Sequence, residues 1–169
     1  LAILDITYER IGEIRFKTGK LEEALKEYQA SQALNEKLLN LYPTNFNYQR
    51  GIYIGHFKIG QVLHADGKYG EALEQFAKGR NLINNLMTAD PNNVDLPRSL
   101  ALYDDHAAQA HISLGETESA TALSNNALAI REKLLAADPT NILVYGDLTS
   151  SLDTAGDFEP TYEVTKEKE

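Results

Sequence analysis

Apolar residues recur along this chain at helical spacing, in stretches of about twenty residues that glycine and proline cut at regular intervals. The clearest stretch carries Ile52, Ile59 and Leu63 and predicts a helix over 46–65. Gly67 breaks the pattern, a second helix is predicted over 69–87, and Pro91 follows. The same succession occurs on either side. Upstream, a helix ends near residue 17, Gly19 intervenes, and a helix over 21–41 leads to Pro43. Downstream, helices over 96–113 and 117–137 flank Gly115 and lead to Pro139.

The three prolines stand 48 residues apart, each followed by Thr-Asn or Asn-Asn: Pro43-Thr44-Asn45, Pro91-Asn92-Asn93 and Pro139-Thr140-Asn141. A fixed period of this size marks a solenoid, whose helical units bury their apolar faces by stacking on one another. Proline closes each second helix because it lacks an amide proton and disfavours helix for the residue before it. The Thr-Asn and Asn-Asn pairs can bond their side chains to nearby backbone and restart the next helix. Units are therefore expected at 1–45, 46–93, 94–141 and 142–169. The fourth has a shorter first helix, over 143–154, and a frayed half-helix over 158–169 that carries Pro160. Sliding the period back sets Leu1 opposite Gln49, so the first unit reads as truncated and the chain as a piece of a longer polypeptide.

Within each unit lie residues at the spacings of the tetratricopeptide repeat, a 34-residue helix-turn-helix. They are Tyr8-x-x-Ile11-Gly12 with Ala24-x-x-x-Tyr28, and His56-x-x-Ile59-Gly60-x-x-Leu63 with Ala72-x-x-x-Phe76. The fourth unit adds Tyr145-x-x-Leu148, with Thr149 where the pattern has glycine. The chain thus resembles this family, which implies an all-α, right-handed α-solenoid of antiparallel helical hairpins. Small residues at Gly12, Gly60 and Ala108 would let paired helices approach, although an interior glycine costs about 1 kcal/mol of helix propensity. Asp104, Ala107 and Ser124 are smaller or more polar than the pattern prefers and mark the third unit as the weakest stack. The longer period follows if each helix gains seven residues, nearly two turns, which rotates its apolar stripe by only about 20°. Long repeats of this kind resemble the arrays that follow serine/threonine kinase domains in some bacteria.

Charge narrows the partners. The chain carries 16 basic and 25 acidic residues, a net charge of −9, which repels phosphate backbones and anionic lipid surfaces. Nucleic acid is not an expected partner. No apolar run reaches the roughly 18 residues a membrane span requires, so no membrane insertion is expected. The absence of cysteine removes thiol chemistry and accords with a cytoplasmic location.

Catalysis has no positive sign. His56, His64, His106 and His111 form no His-Glu-x-x-His arrangement, and the gap between His106 and His111 turns them about 140° apart on a helix. His111 reads as a packing residue, and Asp104-Asp105-His106 as a solvated helix face. Ser113, Ser119, Ser124, Ser150 and Ser151 lack a nucleophile elbow. No enzymatic activity, metal or cofactor is expected of this chain.

The resemblance implies instead a concave groove lined by the first helices. The matching positions are Glu9, Glu13 and Phe16; Phe57, Gln61 and His64; and Asp105, Gln109 and Ile112. The added turns extend this stripe to Arg50, Tyr53, Arg98 and Leu102. Such a mixture of aromatic, amide and charged groups suits a peptide or helix of a partner protein. The competing reading pairs Arg50 and Arg98 with acids such as Asp5 and Asp105 on adjacent helices. A non-enzymatic protein-interaction scaffold is the first expectation, and a regulatory array of a larger enzyme such as a bacterial kinase is the alternative. A third is self-association through Ile3, Leu4 and Ile11 of the first helix.

Overall fold

The computed structural model describes residues 2–156, with side chains for 4–149 and for Ser151. Seven helices follow one another: α1 (Ala2–Lys17), α2 (Leu21–Leu41), α3 (Phe46–Ala65), α4 (Tyr69–Ala89), α5 (Asp95–Ser113), α6 (Thr117–Ala137) and α7 (Ile142–Gly156). No strand occurs among the described residues. The helices fall within two residues of the spans the periodicity predicts; the half-helix expected over 158–169 lies outside the described residues.

The punctuation works through the backbone. Gly19, Gly67 and Gly115 adopt φ of 74°, 76° and 77°, the left-handed conformation that ends a helix at little cost only for glycine. Each is followed by an amide that reaches back five residues: Lys20 to the Arg15 carbonyl, Lys68 to Leu63 and Glu116 to His111, all at 2.9 Å. These bonds satisfy carbonyls that a helix end otherwise leaves bare. At the opposite turns Asn45, Asn93 and Asn141 accept from the amides of Asn47, Asp95 and Val144 and start α3, α5 and α7.

Each helix packs on its neighbours in the chain, giving an all-α solenoid of antiparallel hairpins. Beyond these sequential contacts α3 also touches α5. α1, α3 and α5 are the first helices of three successive hairpins. The core runs through the stack as Tyr28, Ile59, Phe76, Ile83, Leu96 and Tyr103, all nearly or fully buried. Each such large apolar side chain contributes about 1.5–3 kcal/mol through removal from water.

Glycines set the closest approaches. The Tyr28 ring lies over Gly12 and the Phe76 ring over Gly60, where a Cβ would collide with the ring in each case. The third hairpin has Ala108 and Ser124 at these places. There α5 packs on α6 with small residues buried, among them Ala107, Ala108, Ala120 and Ala127, and Asp104 lies fully buried among polar partners.

Candidate partner-binding groove

The candidate face is built from positions that repeat every 48 residues on α1, α3 and α5. Ile6, Ile54 and Leu102 hold one such position. Ile6 is 56% exposed, Leu102 is 41% exposed and Ile54 is half-buried, so one apolar ladder crosses three successive helices on an accessible face. Seven residues on, Glu13, Gln61 and Gln109 form a polar ladder, and beyond it lie Phe16, His64 and Ile112, all six half-buried. Two turns of helix nearly restore the angular position, so these ladders run side by side.

Charges and amides along this face are tied to neighbours. Glu13 accepts from Lys17 at 2.8 Å and lies 3.8 Å from Arg10; the Lys17 bond and charge lower its carboxyl below the usual range. Gln61 Nε2 meets His106 Nε2 at 3.4 Å. His64 packs beside Tyr69 with ring centres 5.2 Å apart, and its Nε2 is buried with no hydrogen-bond partner among the described residues. Arg50 stays exposed near the Tyr53 hydroxyl, which Ser99 also approaches.

Two residues expected in the groove belong to the core. Tyr53 is 4% exposed and Phe57 9% exposed. Phe57 packs edge-on against Tyr103 and His106, at centroid separations of 5.1 and 4.8 Å, and Phe76 completes the cluster. The reason is the angle between positions: a residue three places along the helix from Ile54 turns about 60° toward α5. The Tyr103 hydroxyl then donates to the Tyr53 carbonyl and fixes α5 against α3.

Asp105 and Arg98 are also committed within the fold. Arg131, 1% exposed, places Nη2 2.5 Å from Asp105 Oδ2, and Ser151 donates to the same oxygen at 2.9 Å. Arg98 forks onto Asp147 of α7 through Nε (2.6 Å) and Nη2 (3.2 Å). Arg98 thus pairs with an acid on an adjacent helix, though not with Asp105, and Asp5 instead accepts from Ser31 and Asn35.

The triplet expected on a solvated face lies inside. Asp104 is fully buried, with Arg80 Nε 2.5 Å from Oδ1 and Asn126 donating to Oδ2 at 2.5 Å. Burial raises its carboxyl above the usual range, against the opposing pull of Asn126 and Arg80. Burial pushes His106 down to about 4, so the ring is neutral at pH 7. His56 holds the Asp104 station one repeat earlier: Gln32 donates to its Nε2 at 3.1 Å and its Nδ1 donates to Gln75 Oε1 at 2.8 Å. Burial lowers its pKa as well. His111 is half-buried, with Nδ1 2.6 Å from Glu116.

Sequence reasoning had included Leu102 but passed over Ile6 and Ile54. Stepping the 48-residue period back from Leu102 would have found both.

Among the described residues no cluster of three or more histidine, aspartate or glutamate side chains could hold a metal ion. None of the helices there is long and apolar enough to cross a membrane.

Comparison with known proteins places the same motif at the start of the chain. Residues 7–38 match the tetratricopeptide repeat family model. No curated protein matches the chain significantly. Among solved structures, the chain resembles PcrH in complex with the chaperone binding region of PopB, at 20% identity, TM-score 0.53, covering 87% of this chain and 93% of that one. PcrH with the chaperone binding region of PopD is similar at 20% identity and TM-score 0.51, covering 91% and 92%. PcrH from Pseudomonas aeruginosa aligns at 22% identity and TM-score 0.49, over 90% and 91%. At these identities the likeness is one of fold.

Proposed function

We propose that this chain is a non-enzymatic scaffold that holds a peptide or helical segment of a partner protein along the face formed by α1, α3 and α5. The observation that carries this reading is the ladder of Ile6, Ile54 and Leu102. Three apolar side chains hold one station of three first helices, Ile6 and Leu102 exposed and Ile54 half-buried, with polar positions seven residues along on the same helix faces. An extended or helical segment with periodic apolar residues would bury these side chains while its backbone meets Gln61, Gln109 and Glu13. Phe16, His64 and Ile112 would border the segment, and Arg50 would meet it at the far end. Tyr53, Phe57, Arg98 and Asp105 support the face and do not touch the ligand. Each of the two PcrH complexes joins a protein of this fold to a region of another protein, which supports the same use here.

In this reading the units are 1–45, 46–93, 94–141 and a shorter fourth over 142–169, a long-repeat form of the tetratricopeptide hairpin. The near-equal lengths of α2, α4 and α6, 21 residues each, support the common extension of the second helices.

A displayed library of linear peptides tests the groove directly. Selection on the chain should enrich sequences with apolar residues at regular spacing, and Ile6→Glu with Leu102→Glu should abolish their binding while far-ultraviolet circular dichroism stays unchanged. Enrichment of no sequence, or binding that survives both substitutions, would sink the assignment.

A second reading has a separate observation behind it. Of the residues expected on this surface, Leu4 is 44% exposed, Ile11 is half-buried and the Ile3 side chain lies outside those described; Leu4 together with Ile14, 64% exposed, favours self-association through the first helix. Light scattering on the chain and on Ile14→Glu separates this from peptide binding, since only a dimer would lose half its mass.

A further inference from the structure

Between α1, α2 and α3 lies a cavity of about 30 Å³, lined by Asp5 and Glu9 from the first helix, Tyr28, Ser31 and Asn35 from the second, and Gly51, Ile54, Gly55 and Lys58 from the third. Ile54 belongs to the apolar ladder, so the cavity adjoins the proposed groove. Its walls are polar in an unbalanced way. Asp5 takes the Ser31 hydroxyl and the Asn35 amide on one oxygen, Oδ1, leaving Oδ2 with no donor among the described residues. Tyr28 is 2% exposed, yet its hydroxyl is buried without a hydrogen-bond partner among the described residues. Glu9 and Glu13 act on that phenol and, with burial as the larger cause, hold it protonated up to about 12. Lys58 is the only basic residue among the lining groups, and its charge also acts on Glu13 and His106.

A buried polar atom without a partner is costly, and Tyr28, whose hydroxyl is such an atom, lines the cavity together with the two carboxylates. Two carboxylates against one ammonium leave the cavity net negative. The volume exceeds what one water needs and fits a compact group with several donors. Gly51 and Gly55 add no side chain to the third wall between Ile54 and Lys58, and α3 approaches α2 so closely there that a Cβ at Gly51 would meet Asn35.

We propose that this cavity is a subsite for a primary ammonium group, supplied by a lysine side chain of the bound segment, with Asp5 Oδ2, the Glu9 carboxylate and the Tyr28 hydroxyl as its three acceptors. The inference rests on the groove reading and adds a charged anchor beside the apolar ladder. A compact ammonium offers three donors to three acceptors, whereas a planar guanidinium presents five in a wide fork. The Tyr28 hydroxyl, otherwise an uncompensated cost in the core, gains its partner when the segment is bound.

The test needs no partner protein. Amide correlation spectra of the chain are recorded during titration with N-acetyl-lysine methylamide, with the norleucine analogue as a neutral control and the arginine analogue as a second cation. The Gly51 and Gly55 amides, at the cavity wall, should shift saturably with the lysine compound and not with norleucine. Asp5→Asn with Glu9→Gln should weaken the response by about tenfold or more, the usual worth of one charge-assisted bond. Tyr28→Phe, a milder change, should weaken it as well. Equal shifts with norleucine, a tighter response to arginine, no saturable shift with lysine, or a response retained in both variants would each overturn the proposal. Because these outcomes do not depend on peptide selection, they leave the groove assignment to stand or fall on its own experiment.

Discussion

Asp104 of α5 and His56 of α3 stand 48 residues apart and occupy the same station, each joined to a polar side chain on the second helix before it and on the second helix after it. His56 meets Gln32 and Gln75; Asp104 meets Arg80 and Asn126. One position of the repeat therefore acts as a polar tie across three helices, with a neutral ring in one copy and a carboxylate paired with arginine in the next. A second tie lies one residue on, where Asp105 binds Arg131 and Ser151.

These ties differ in what removal would strand. Arg80 is 31% exposed and can turn to water if Asp104 is lost, whereas Arg131 is 1% exposed and its loss leaves both a hole and an uncompensated Asp105. Arg131→Ala should cost about 3–5 kcal/mol, and Asp104→Ala about 2 kcal/mol. Arg98, 41% exposed in its pair with Asp147, should matter least, below about 1 kcal/mol on change to glutamine. Urea unfolding of the three variants would check the order, which is the decisive part.

Histidine burial gives the fold an acid limit. His106 titrates near 6.5 when unfolded and near 4 when folded, so between those values the unfolded chain binds the extra proton. Its share of stability is present above pH 6.5 and is lost as pH falls toward 4, to a total of about 3 kcal/mol. His56 acts in the same direction. Asp104 acts oppositely: burial raises its folded pKa above 3.8, so its contribution declines as pH rises through the folded value. His106→Leu should flatten the slope of stability between pH 6.5 and 4, and an unchanged slope would refute the assignment.

Glycine substitutions should split by location. At Gly60 an added methyl would collide with the fully buried Phe76 ring, and overpacking of about 1–3 kcal/mol should outweigh a propensity gain of about 1 kcal/mol. At Gly146, inside α7, a Cβ meets nothing within 4 Å. Gly146→Ala should therefore stabilise by roughly 0.5–1 kcal/mol, and thermal melts would show the opposite signs.

Much of the architecture was readable from spacing, because glycine in the left-handed conformation and proline after a second helix each have one dominant structural meaning. The seven helices could be drawn from Gly19, Gly67, Gly115 and the three prolines. The groove was less legible for a geometric reason. A first helix inside the stack meets the second helix before it, its own partner and the next first helix, so its buried arc is wide. Asp104, Asp105 and His106 point about 100° apart, yet each finds a partner within that arc. Polarity suggested solvent, whereas alignment by the period pairs Asp105 with Phe57 and Asp104 with His56, both half-buried or buried. The period, more than residue type, was the signal for burial.

Tyr28 offers the sharpest separation of stability from binding. Its ring is needed in the core over Gly12, but its hydroxyl has no partner among the described residues. Tyr28→Phe keeps the ring and removes an unsatisfied buried group, so it should stabilise the chain by about 1 kcal/mol in urea unfolding. The same variant should respond more weakly to the lysine probe, because one of three acceptors is gone. A hydroxyl kept for packing alone predicts no change in the probe response, and one held by an unseen internal bond predicts a loss of stability. Gain in stability together with loss of binding is the combination that only a ligand-directed hydroxyl produces.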